Sequence, residues 1–449
     1  MSEERSLFSS RIGFILAAAA SAVGLGNLWR FPYLAAKYGG GIFLLVYLIL
    51  VVTLGFTIMV TEIAIGRKTG HSALWAFREL NKKWHILGIL ALIVPCIILP
   101  YYAVIAGWIT KFAVVFMAGF GSELADGGTF FTTFMSSNVE VIIWTALVIV
   151  VAAVIMLMGV QNGIQRVCTV ILPILIVMMI GLAIYCITLP GGMDGLGYYF
   201  IPDFSKFSFE AVLAAMGQMF YSLSLAMGIM ITYGSYLAAH ESIEKSVRRI
   251  EIFDTGVAFL AGLLIVPAVF VFSGGSPEAL GTGPGLMFIQ LPQVFATMPF
   301  GDWVGALFFI AVFFAALTSL ISLFEVPVAA ITDKFHISRT NSVVVVTIGI
   351  ILVSIFVNFG YGILSEFTIF GYQILDFMDM ISNNILMPIL AILTCIFIGW
   401  IVKTRTVTDE VESHGNKFVW KKFFIIMVKF IAPICMAAIL ISNIVPMFG

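Results

Sequence analysis

Charged residues are scarce in this chain. Only 10% of its 449 residues are Asp, Glu, Lys or Arg, whereas a soluble globular protein carries about 25%. Cysteine is also rare, and the five cysteines show no spacing typical of a metal site or a disulfide framework. Hydrophobic residues, by contrast, make up 61% of the chain. This balance excludes a soluble protein and predicts one that crosses a membrane several times.

Several functional signatures are missing as well. The sequence has no N-x-[ST] glycosylation acceptor, which favours a prokaryotic inner membrane. It has no basic patch outside the loops expected to face membrane lipid at the inner surface, so we expect no nucleic-acid partner. No histidine lies within an apolar run and no nucleophile elbow occurs, so we expect no catalytic residues and no enzyme activity.

Apolar runs long enough to cross a bilayer, roughly 17 to 25 residues each, recur along the whole chain. They predict an all-α polytopic membrane protein with eleven transmembrane helices, near residues 12–36, 41–66, 86–117, 139–159, 164–189, 208–238, 250–273, 301–332, 342–358, 370–400 and 420–446. With the N-terminus inside, 18 of the 23 Lys and Arg residues fall in inner segments. This bias predicts a cytoplasmic N-terminus and an extracellular or periplasmic C-terminus.

Two of these spans contain residues that disfavour a continuous helix. The first carries SAVGLGN at residues 21–27, and the sixth carries GQMFYSLSLAMG at residues 217–228. A free backbone N–H or C=O within the bilayer costs several kcal/mol unless protein, ions or ligand satisfy it. Interrupted helices at the membrane midplane are typical of secondary transporters. The two breaks therefore predict a binding site inside the membrane.

The two broken spans lie five helices apart, which predicts an inverted repeat of two five-helix halves. We expect a cytoplasmic tail at 1–11, a first repeat at 12–189, a second repeat at 190–400, and a cytoplasmic loop with an appended eleventh helix at 401–449. Within the second repeat, the Gly- and Pro-rich stretch 273–300 could act as an external lid.

Acidic residues within apolar spans are the next signal, because a carboxylate at mid-bilayer costs roughly 2.5 to 3.5 kcal/mol. A cation, the N–H groups of a broken helix, or protonation could neutralise them. For Asp254 we favour a role with an ion over a hydrogen-bonded structural acid. For Glu62 we favour a structural brace of an unwound helix over direct ion binding. The predicted spans also contain Glu325, Asp376 and Asp379.

Neutral oxygens near the breaks are ligands that hard cations prefer. They belong to Asn27, Ser222, Ser224, Thr318 and Ser319. Taken singly, a Ser or Thr hydroxyl in a membrane helix more often bonds to the carbonyl four residues before it. Their occurrence together with two broken helices favours ion binding.

A second pair of helix-breaking residues, Gly163 and Pro173, lies in the fifth predicted span. Unwinding there could open a path for solvent. A tolerated proline kink is the alternative, and the sequence does not decide between them.

With these motifs the chain resembles the neurotransmitter:sodium symporter family, whose fold is named after a bacterial leucine transporter (LeuT). The resemblance covers nearly the whole chain and rests on RIGFILAAAASAVGLGNLWRFPY from residue 11, YGGGIF from residue 38, GQMFYSLSLAMG from residue 217, AALTSLISLFE from residue 315 and ILDFMD from residue 374. It implies a LeuT-type 5+5 inverted repeat of helices 1–5 and 6–10, with helices 1 and 6 broken.

The resemblance also implies two sodium ions. The first would be held with the substrate carboxylate by Ala22, Asn27, Ser222 and Asp254. The second would be held by Ala20, Val23, Ala315, Thr318 and Ser319. Family members that bind chloride have Ser where this chain has Ala258, and many members have Asn where it has Asp254. These departures predict transport that needs no chloride and that responds to pH through Asp254.

The substrate class follows from position 24, where carriers of monoamines have Asp and this chain has Gly. The resemblance therefore implies a substrate with a free carboxylate, and we expect a hydrophobic or aromatic amino acid. The substrate site implied by the family comprises Ser21, Ala22, Leu25, Gly26, Ile98, Tyr102, Tyr221, Ser222, Ser224, Met227, Ser319 and Leu323.

The family pattern implies gates on both sides of this site. Arg30 with Asp379 would form an outer ion pair, and Tyr221 with Tyr102 an aromatic lid. Arg5 with Asp333 would form an inner pair near Ser235 and Tyr236. The alternative for the inner pair is an ordinary solvated surface contact worth under about 1 kcal/mol.

The predicted function is thus sodium-coupled symport of a hydrophobic or aromatic amino acid into the cell. An amino-acid sensor that binds without transporting is one alternative. An ion channel is another, although no filter-like motif occurs in the sequence.

Overall fold

A computed structural model describes residues 7–272 and 283–448 of the chain. Within them the long elements are all helical, which confirms the predicted fold class. The helices are α1 (Arg11–Ala22), α2 (Gly26–Lys37), α3 (Gly41–Thr69), α4 (Ala73–Leu80), α5 (Lys82–Met117), α6 (Thr129–Ser136), α7 (Asn138–Leu157), α8 (Val160–Thr188), α9 (Gly192–Phe200), α10 (Phe209–Ser222), α11 (Ile229–Gly234), α12 (Ile243–Phe272), α13 (Leu286–Thr297), α14 (Gly301–Phe335), α15 (Arg339–Phe359), α16 (Ile374–Ile401), α17 (Arg405–Val411) and α18 (Lys421–Val445).

Nine of these helices are individually long and apolar enough to cross a membrane, counted over the described residues. The pair α1 and α2 adds a tenth span if it is taken as one bent helix. The predicted sixth span, 208–238, is divided into α10 and α11, and neither helix reaches spanning length by itself. The expected number of eleven spans is therefore not confirmed.

The first break separates α1 from α2, whose axes meet at 54°. Helix α1 ends at Ala22, and Val23 adopts an extended conformation with φ −69° and ψ 100°. The run of Ala17 to Ala22 before it is buried, and such small side chains allow neighbouring helices to approach closely.

The second break separates α10 from α11 and spans residues 223–228. Every second residue here takes a left-handed conformation, with φ of 52° at Ser224, 56° at Ala226 and 71° at Gly228. This region is unfavourable for Ser and Ala, so the surrounding contacts must hold the backbone in place.

Two long helices at the centre of the bundle carry side chains to both breaks. Helices α5 and α14 pack against each other, and they are among the most buried spans of the described chain. Helix α5 contributes Ile98 and Tyr102, and helix α14 contributes Ser319 and Leu323. The bundle therefore positions the breaks against a rigid, close-packed partner.

The other predicted breaker pair lies on α8. The helix begins with a π-helical turn, Val160–Gln165, and the Gly159 before it has φ 85°. A Cβ at Gly163 would lie 2.1 Å from the Ile155 carbonyl oxygen, so the approach of α7 requires glycine there. Pro173 lies within the continuous part of α8. A solvent path at this pair remains a prediction.

The predicted outer lid lies only partly within the described residues. Its part at 273–282 falls outside them, whereas α13 has Leu291, Val294 and Phe295 buried. This helix is therefore packed into the protein.

Candidate functional site

The two breaks line a small cavity of about 30 Å³. Eleven of the twelve substrate residues implied by the family line it; Ser222 does not, and Gly24 and Ile229 are additional. The complete lining is Ser21, Ala22, Gly24, Leu25, Gly26, Ile98, Tyr102, Tyr221, Ser224, Met227, Ile229, Ser319 and Leu323. A cavity of this size holds one or two waters. Binding of an amino acid therefore requires the lining to move apart.

Two backbone N–H groups of the first break have neutral side-chain partners. The Gly24 N–H donates to Asn27 Oδ1 at 3.0 Å. The Leu25 N–H donates to the Tyr102 hydroxyl oxygen at 3.3 Å, which is a long hydrogen bond. A carboxylate is a stronger acceptor than either partner, so the break can exchange them for an anionic ligand.

Close packing at the same break requires glycine. A Cβ on Gly24 would lie 2.6 Å from Ser319 Oγ and 3.0 Å from the Tyr102 hydroxyl, and a Cβ on Gly26 would lie 2.6 Å from the ring of Tyr221. These approaches leave no room for an Asp at position 24 in this conformation.

The carbonyl of Ser21 is the polar group shared by both breaks and α14. It accepts hydrogen bonds from Ser224 Oγ at 3.1 Å and from Ser319 Oγ at 3.0 Å. The hydroxyl of Ser21 is buried and has no hydrogen-bond partner among the described residues. An amino group placed here would have the Ser21 carbonyl oxygen and the hydroxyl oxygens of Ser224 and Ser319 within reach.

Two of the residues implied for the first sodium ion, Asn27 and Ser222, contact a third, Asp254, which is fully buried on α12. Asn27 Nδ2 donates to Asp254 Oδ1 at 2.8 Å, and Ser222 Oγ lies 2.9 and 3.0 Å from the two carboxylate oxygens. The Tyr47 hydroxyl lies 3.4 Å from Oδ2. Ala22 ends α1 and lines the cavity. The structure thus brings α2, α3, α10 and α12 together on one carboxylate.

The residues implied for the second sodium ion lie between α1 and α14. Thr318 Oγ1 donates to the Ala315 carbonyl at 3.1 Å, and Ser319 Oγ lies 3.3 Å from the Val23 carbonyl. Ala20 is buried in the last turns of α1. In this conformation the Thr318 hydroxyl bonds back to carbonyls of its own helix, which is the alternative that the sequence left open. The Ser319 hydroxyl instead bonds across to carbonyls at the end of α1 and in the first break.

Glu62 reaches the second break from α3. It is 3% exposed, and its Oε1 accepts the Ala226 N–H at 2.7 Å. This short bond gives the buried Ala226 N–H its acceptor and helps to hold the left-handed backbone in place. Its Oε2 has no hydrogen-bond partner among the described residues.

Tyr221 lines both the small cavity and a larger cavity of about 460 Å³. Its side chain therefore lies between the two. The Arg30 guanidinium lies 5.6 Å from the centre of that ring. Arg30 and Asp379 form no ion pair within 4.0 Å in the described part of the chain, so the implied outer pair is not closed. Asp379 instead accepts from Tyr101 at 3.1 Å and Asn383 at 2.6 Å.

An aromatic cluster lies where the residues just before α1 meet α11, among the residues implied for the inner gate. Phe8 packs edge-on against Tyr233 and Tyr236 with ring centres 5.6 and 6.1 Å apart, and its N–H donates to the Tyr236 carbonyl. Ser235 is buried beside them. Asp333 accepts the Ser72 N–H at 2.8 Å. Arg5 lies outside the described residues, so the implied inner pair is not described.

The remaining predicted site residue, Ala258, is fully buried on α12 and brings no hydroxyl to the Asp254 cluster.

Four residues of the site were not anticipated from the sequence. Tyr47 and Gln218 are polar residues within apolar spans, and that signal could have identified them; Gln218 Nε2 donates to the Gly26 carbonyl at 2.8 Å. Arg339 makes a two-pronged ion pair with the fully buried Glu325 at 2.8 and 2.6 Å. Ile229 carries no such signal, because nothing distinguishes it from other apolar residues.

Comparison with known proteins gives one consistent result. A sequence model described as the sodium:neurotransmitter symporter family matches residues 5–126 and 133–448. An uncharacterized sodium-dependent transporter of Bacillus subtilis, YhdH, is 34% identical, and the match covers 98% of both chains. An uncharacterized sodium-dependent transporter of Haemophilus influenzae is 32% identical with the same coverage.

Among solved structures, that of MhsT in complex with L-phenylalanine is 38% identical with a TM-score of 0.86. The match covers 98% of this chain and 100% of that chain. The human sodium- and chloride-dependent GABA transporter 2 is a more distant relative at 24% identity. The chain therefore shares the LeuT fold, with its two broken helices, over essentially its whole length.

Proposed function

The chain belongs to the sodium:neurotransmitter symporter family, and from that premise we propose that it carries a hydrophobic or aromatic amino acid into the cell together with two sodium ions. Sodium-coupled transport is the function of the family, which is one of transporters and not of enzymes. The identity of the substrate, the number of ions and the independence from chloride are our proposal.

The observation that carries the proposal is the pair of N–H groups at the first break. Gly24 and Leu25 direct them at neutral acceptors at the edge of the cavity. A substrate carboxylate would replace these acceptors, since free N–H groups at a helix start favour an anion. The rest of the lining is largely apolar, with Ile98, Met227 and Leu323. An α-amino acid with an apolar side chain matches both parts, and Met can adapt its shape to several of them.

The first sodium ion would couple to the substrate directly. Asp254 and Ser222 supply oxygens beside the break that would hold the carboxylate. In the proposed site one cation contacts both the protein and the substrate, so each ligand would raise the affinity for the other. The second ion would take the carbonyls of Val23 and Ala315 after the hydroxyls of Ser319 and Thr318 turn towards it. This ion would hold α1 against α14.

Independence from chloride is supported by the charge already present. Asp254 supplies a negative charge within the membrane, and Ala258 supplies no hydroxyl for an anion. A fixed or protonatable carboxylate could therefore perform the charge balance that chloride performs in chloride-dependent relatives, and in the protonatable case transport would respond to pH.

The drive from two ions is large enough for concentrative uptake. Each sodium ion gains about 2.3 kcal/mol from a membrane potential of ~100 mV and about 1.4 kcal/mol from a tenfold gradient. Two ions thus supply about 7 kcal/mol, which can support a substrate gradient of about 10⁵. We propose that the broken helices and their neighbours rock between outward-open and inward-open states, and that the closed cavity lies between these.

We place the protein in the cell membrane, in prokaryotes the inner membrane, with its N-terminus in the cytoplasm. The proposed repeats are 12–189 and 190–400, each opening with a broken helix. The charge bias of the connecting segments supports this orientation.

Two measurements test the proposal. A thermal-shift screen of the twenty amino acids with and without sodium should identify the substrate, because a ligand that binds the folded state raises its stability. Uptake of that amino acid into proteoliposomes should then require an inward sodium gradient and persist when gluconate replaces chloride. Sodium-dependent binding without uptake would favour the sensor, and sodium current without saturable uptake would favour a channel. Loss of uptake in gluconate would overturn chloride independence alone.

A further inference from the structure

The segment 402–420, between α16 and α18, lies at the end of the bundle that carries the starts of α1 and α12. We call this the inner end, after the predicted orientation. The segment contains α17, and Val407, Thr408 and Val411 bury its apolar face. Helix α17 packs against the last turns of α3. The segment therefore contacts the protein near the place where the first broken helix begins.

Arg67 is the centre of this contact. Its side chain lies in the last turn of α3 and is 3% exposed. Its Nε donates to Glu410 Oε1 at 2.7 Å, and its Nη2 donates to the Glu410 carbonyl and to Ser413 Oγ. Its Nη1 donates to the carbonyl of Glu241, in the connection between α11 and α12. One buried guanidinium thus joins segment 402–420 to the connection that follows the second broken helix.

Glu241 extends the chain of contacts to the first broken helix. Its carboxylate lies 3.8 Å from Nε of Arg11, the first residue of α1. The Nε and Nη2 of Arg11 are buried and make no hydrogen bond within the described residues, so this ion pair is their nearest compensation. Exposed His240 also lies 3.6 Å from the Glu241 carboxylate.

Two further contacts hold the same connection. Asn416 Nδ2 donates to the His240 carbonyl at 3.4 Å. The Val419 N–H donates to Glu244 Oε2 at 2.7 Å, and Glu244 also pairs with Arg248 at 3.0 Å. Segment 402–420 therefore contacts residues on both sides of Glu241, the backbone of His240 and the side chain of Glu244.

We propose that segment 402–420 is a clamp that holds the base of α1 closed, through the sequence of contacts Glu410, Arg67, Glu241 and Arg11. A buried guanidinium must keep its acceptors, so loss of one acceptor moves the others. Glu410 acts on α1 only through these residues and is a positioning residue. The inference rests on the proposed function, because a clamp matters only if the inner end opens.

Opening of the inner end can be measured without transport. Ser235 is 5% exposed beside the aromatic cluster, so the reporter thiol of a Ser235→Cys variant should react slowly with a membrane-impermeant maleimide in inside-out vesicles. The parent chain with its five native cysteines gives the background. Glu410→Gln should raise the reporter's labelling rate by about fivefold or more, which is the smallest usual coupling between sites. Substrate KM should rise with it, because fewer molecules are in the state that binds from outside.

Glu412→Gln is the matched control. Glu412 belongs to the same segment and carries the same charge, but it pairs with Lys421 at 2.7 Å on the surface. In Glu412→Gln, the labelling rate of the reporter should stay within about twofold of the parent rate, since exposed ion pairs contribute little to stability. An equal rise in both variants would mean that net charge is responsible and would overturn the clamp. If Glu410→Gln does not fold, Asn416→Ala should also raise the labelling rate of the reporter, but by a smaller factor.

A double-mutant cycle tests the sequence of contacts itself. In the described structure Arg11 and Glu410 share no ion pair or hydrogen bond. If they act through Arg67 and Glu241, the double variant Arg11→Gln with Glu410→Gln should label no faster than the faster single variant. Additive effects would show independent sites and would overturn the inference.

The outcomes separate the clamp from the transport function. Sodium-driven uptake with unchanged labelling in Glu410→Gln would reject the clamp and leave the proposed function intact. Faster labelling in Glu410→Gln, together with no uptake by the parent chain, would support the clamp and reject the transport function.

Discussion

The break between α1 and α2 is three residues long, whereas the break between α10 and α11 is six residues long. The backbone N–H groups in the two breaks also donate to different kinds of partner. At the first break, Gly24 and Leu25 donate to neutral side chains at 3.0 and 3.3 Å. At the second, Ala226 donates to the Glu62 carboxylate at 2.7 Å. The long bond to Tyr102 is easily exchanged for a ligand, whereas the shorter bond to the buried Glu62 costs more to break. We therefore propose ligand binding at the first break and bracing at the second.

The largest expected effect concerns the brace. Glu62→Leu removes the acceptor of the Ala226 N–H and should lower the free energy of unfolding by about 2 to 3 kcal/mol, because a buried donor left without an acceptor costs up to about 3 kcal/mol. Thermal unfolding in detergent measures the change. Glu62→Gln keeps an acceptor of similar size and is the control. If both variants are as stable as the parent, the brace is rejected.

Asp254→Ala should have the next largest effect, on binding. It removes the charge that Asn27 and Ser222 contact at 2.8 and 2.9 Å. Sodium and substrate affinities should fall together by about tenfold or more, since a charged partner contributes about 1.5 to 3 kcal/mol. The thermal shift measured at increasing concentrations of sodium, and separately of substrate, provides both affinities. Asp376→Asn, at an exposed acid on α16, serves as the control. Unchanged sodium affinity in Asp254→Ala contradicts a shared site.

Gly24→Ala should weaken substrate binding more than stability. Its Cβ would lie 2.6 Å from Ser319 Oγ and 3.0 Å from the Tyr102 hydroxyl, so both side chains must shift within the cavity. We expect a loss of about tenfold in substrate affinity, comparable to overpacking at a cost of about 1 to 3 kcal/mol. Gly256→Ala meets no atom within 4 Å and should bind normally. Normal binding by Gly24→Ala would place the substrate elsewhere.

Tyr47→Phe should have the smallest effect. The hydroxyl lies 3.4 Å from Asp254 Oδ2, which is a long hydrogen bond, and two shorter donors remain after its loss. We expect sodium affinity to fall by about two- to fivefold, since a neutral hydrogen bond contributes about 0.5 to 1.5 kcal/mol. Tyr372→Phe, at an exposed tyrosine, is the comparison. A loss as large as that of Asp254→Ala would make Tyr47 a principal part of the site.

The positions of the breaks could be predicted because they depend on local sequence. Gly24, Gly26 and Asn27 lie close together in an otherwise apolar span and disfavour a continuous helix through their own backbone preferences. The length of the second break could not be predicted from local sequence. Ser224 and Ala226 rarely adopt left-handed backbone, and they do so here because distant residues, Glu62 among them, hold them there.

The site residues also include some that the sequence predicted and some that only the packing of distant helices revealed. The family motifs placed eleven of twelve substrate residues on the cavity, because motif positions on broken helices and their neighbours are fixed by the shared fold. They did not indicate the open distance between Arg30 and Asp379, because a gate that opens and closes depends on conformation. They also did not reveal Tyr47 or the contact of Arg67 with Glu410, since each joins residues more than 200 positions apart.

The sequence by itself determined that this chain is a bundle of membrane helices with two interruptions, because scarcity of charge and local helix-breaking residues act without reference to distant parts of the chain. Only the tertiary structure decided which groups satisfy those interruptions. Hydrogen bonds reach about 3 Å, so a partner is determined by how helices pack and not by its place in the sequence. That packing brings the side chains of Asn27 and Tyr102 to the first break and the buried side chain of Glu62 to the second.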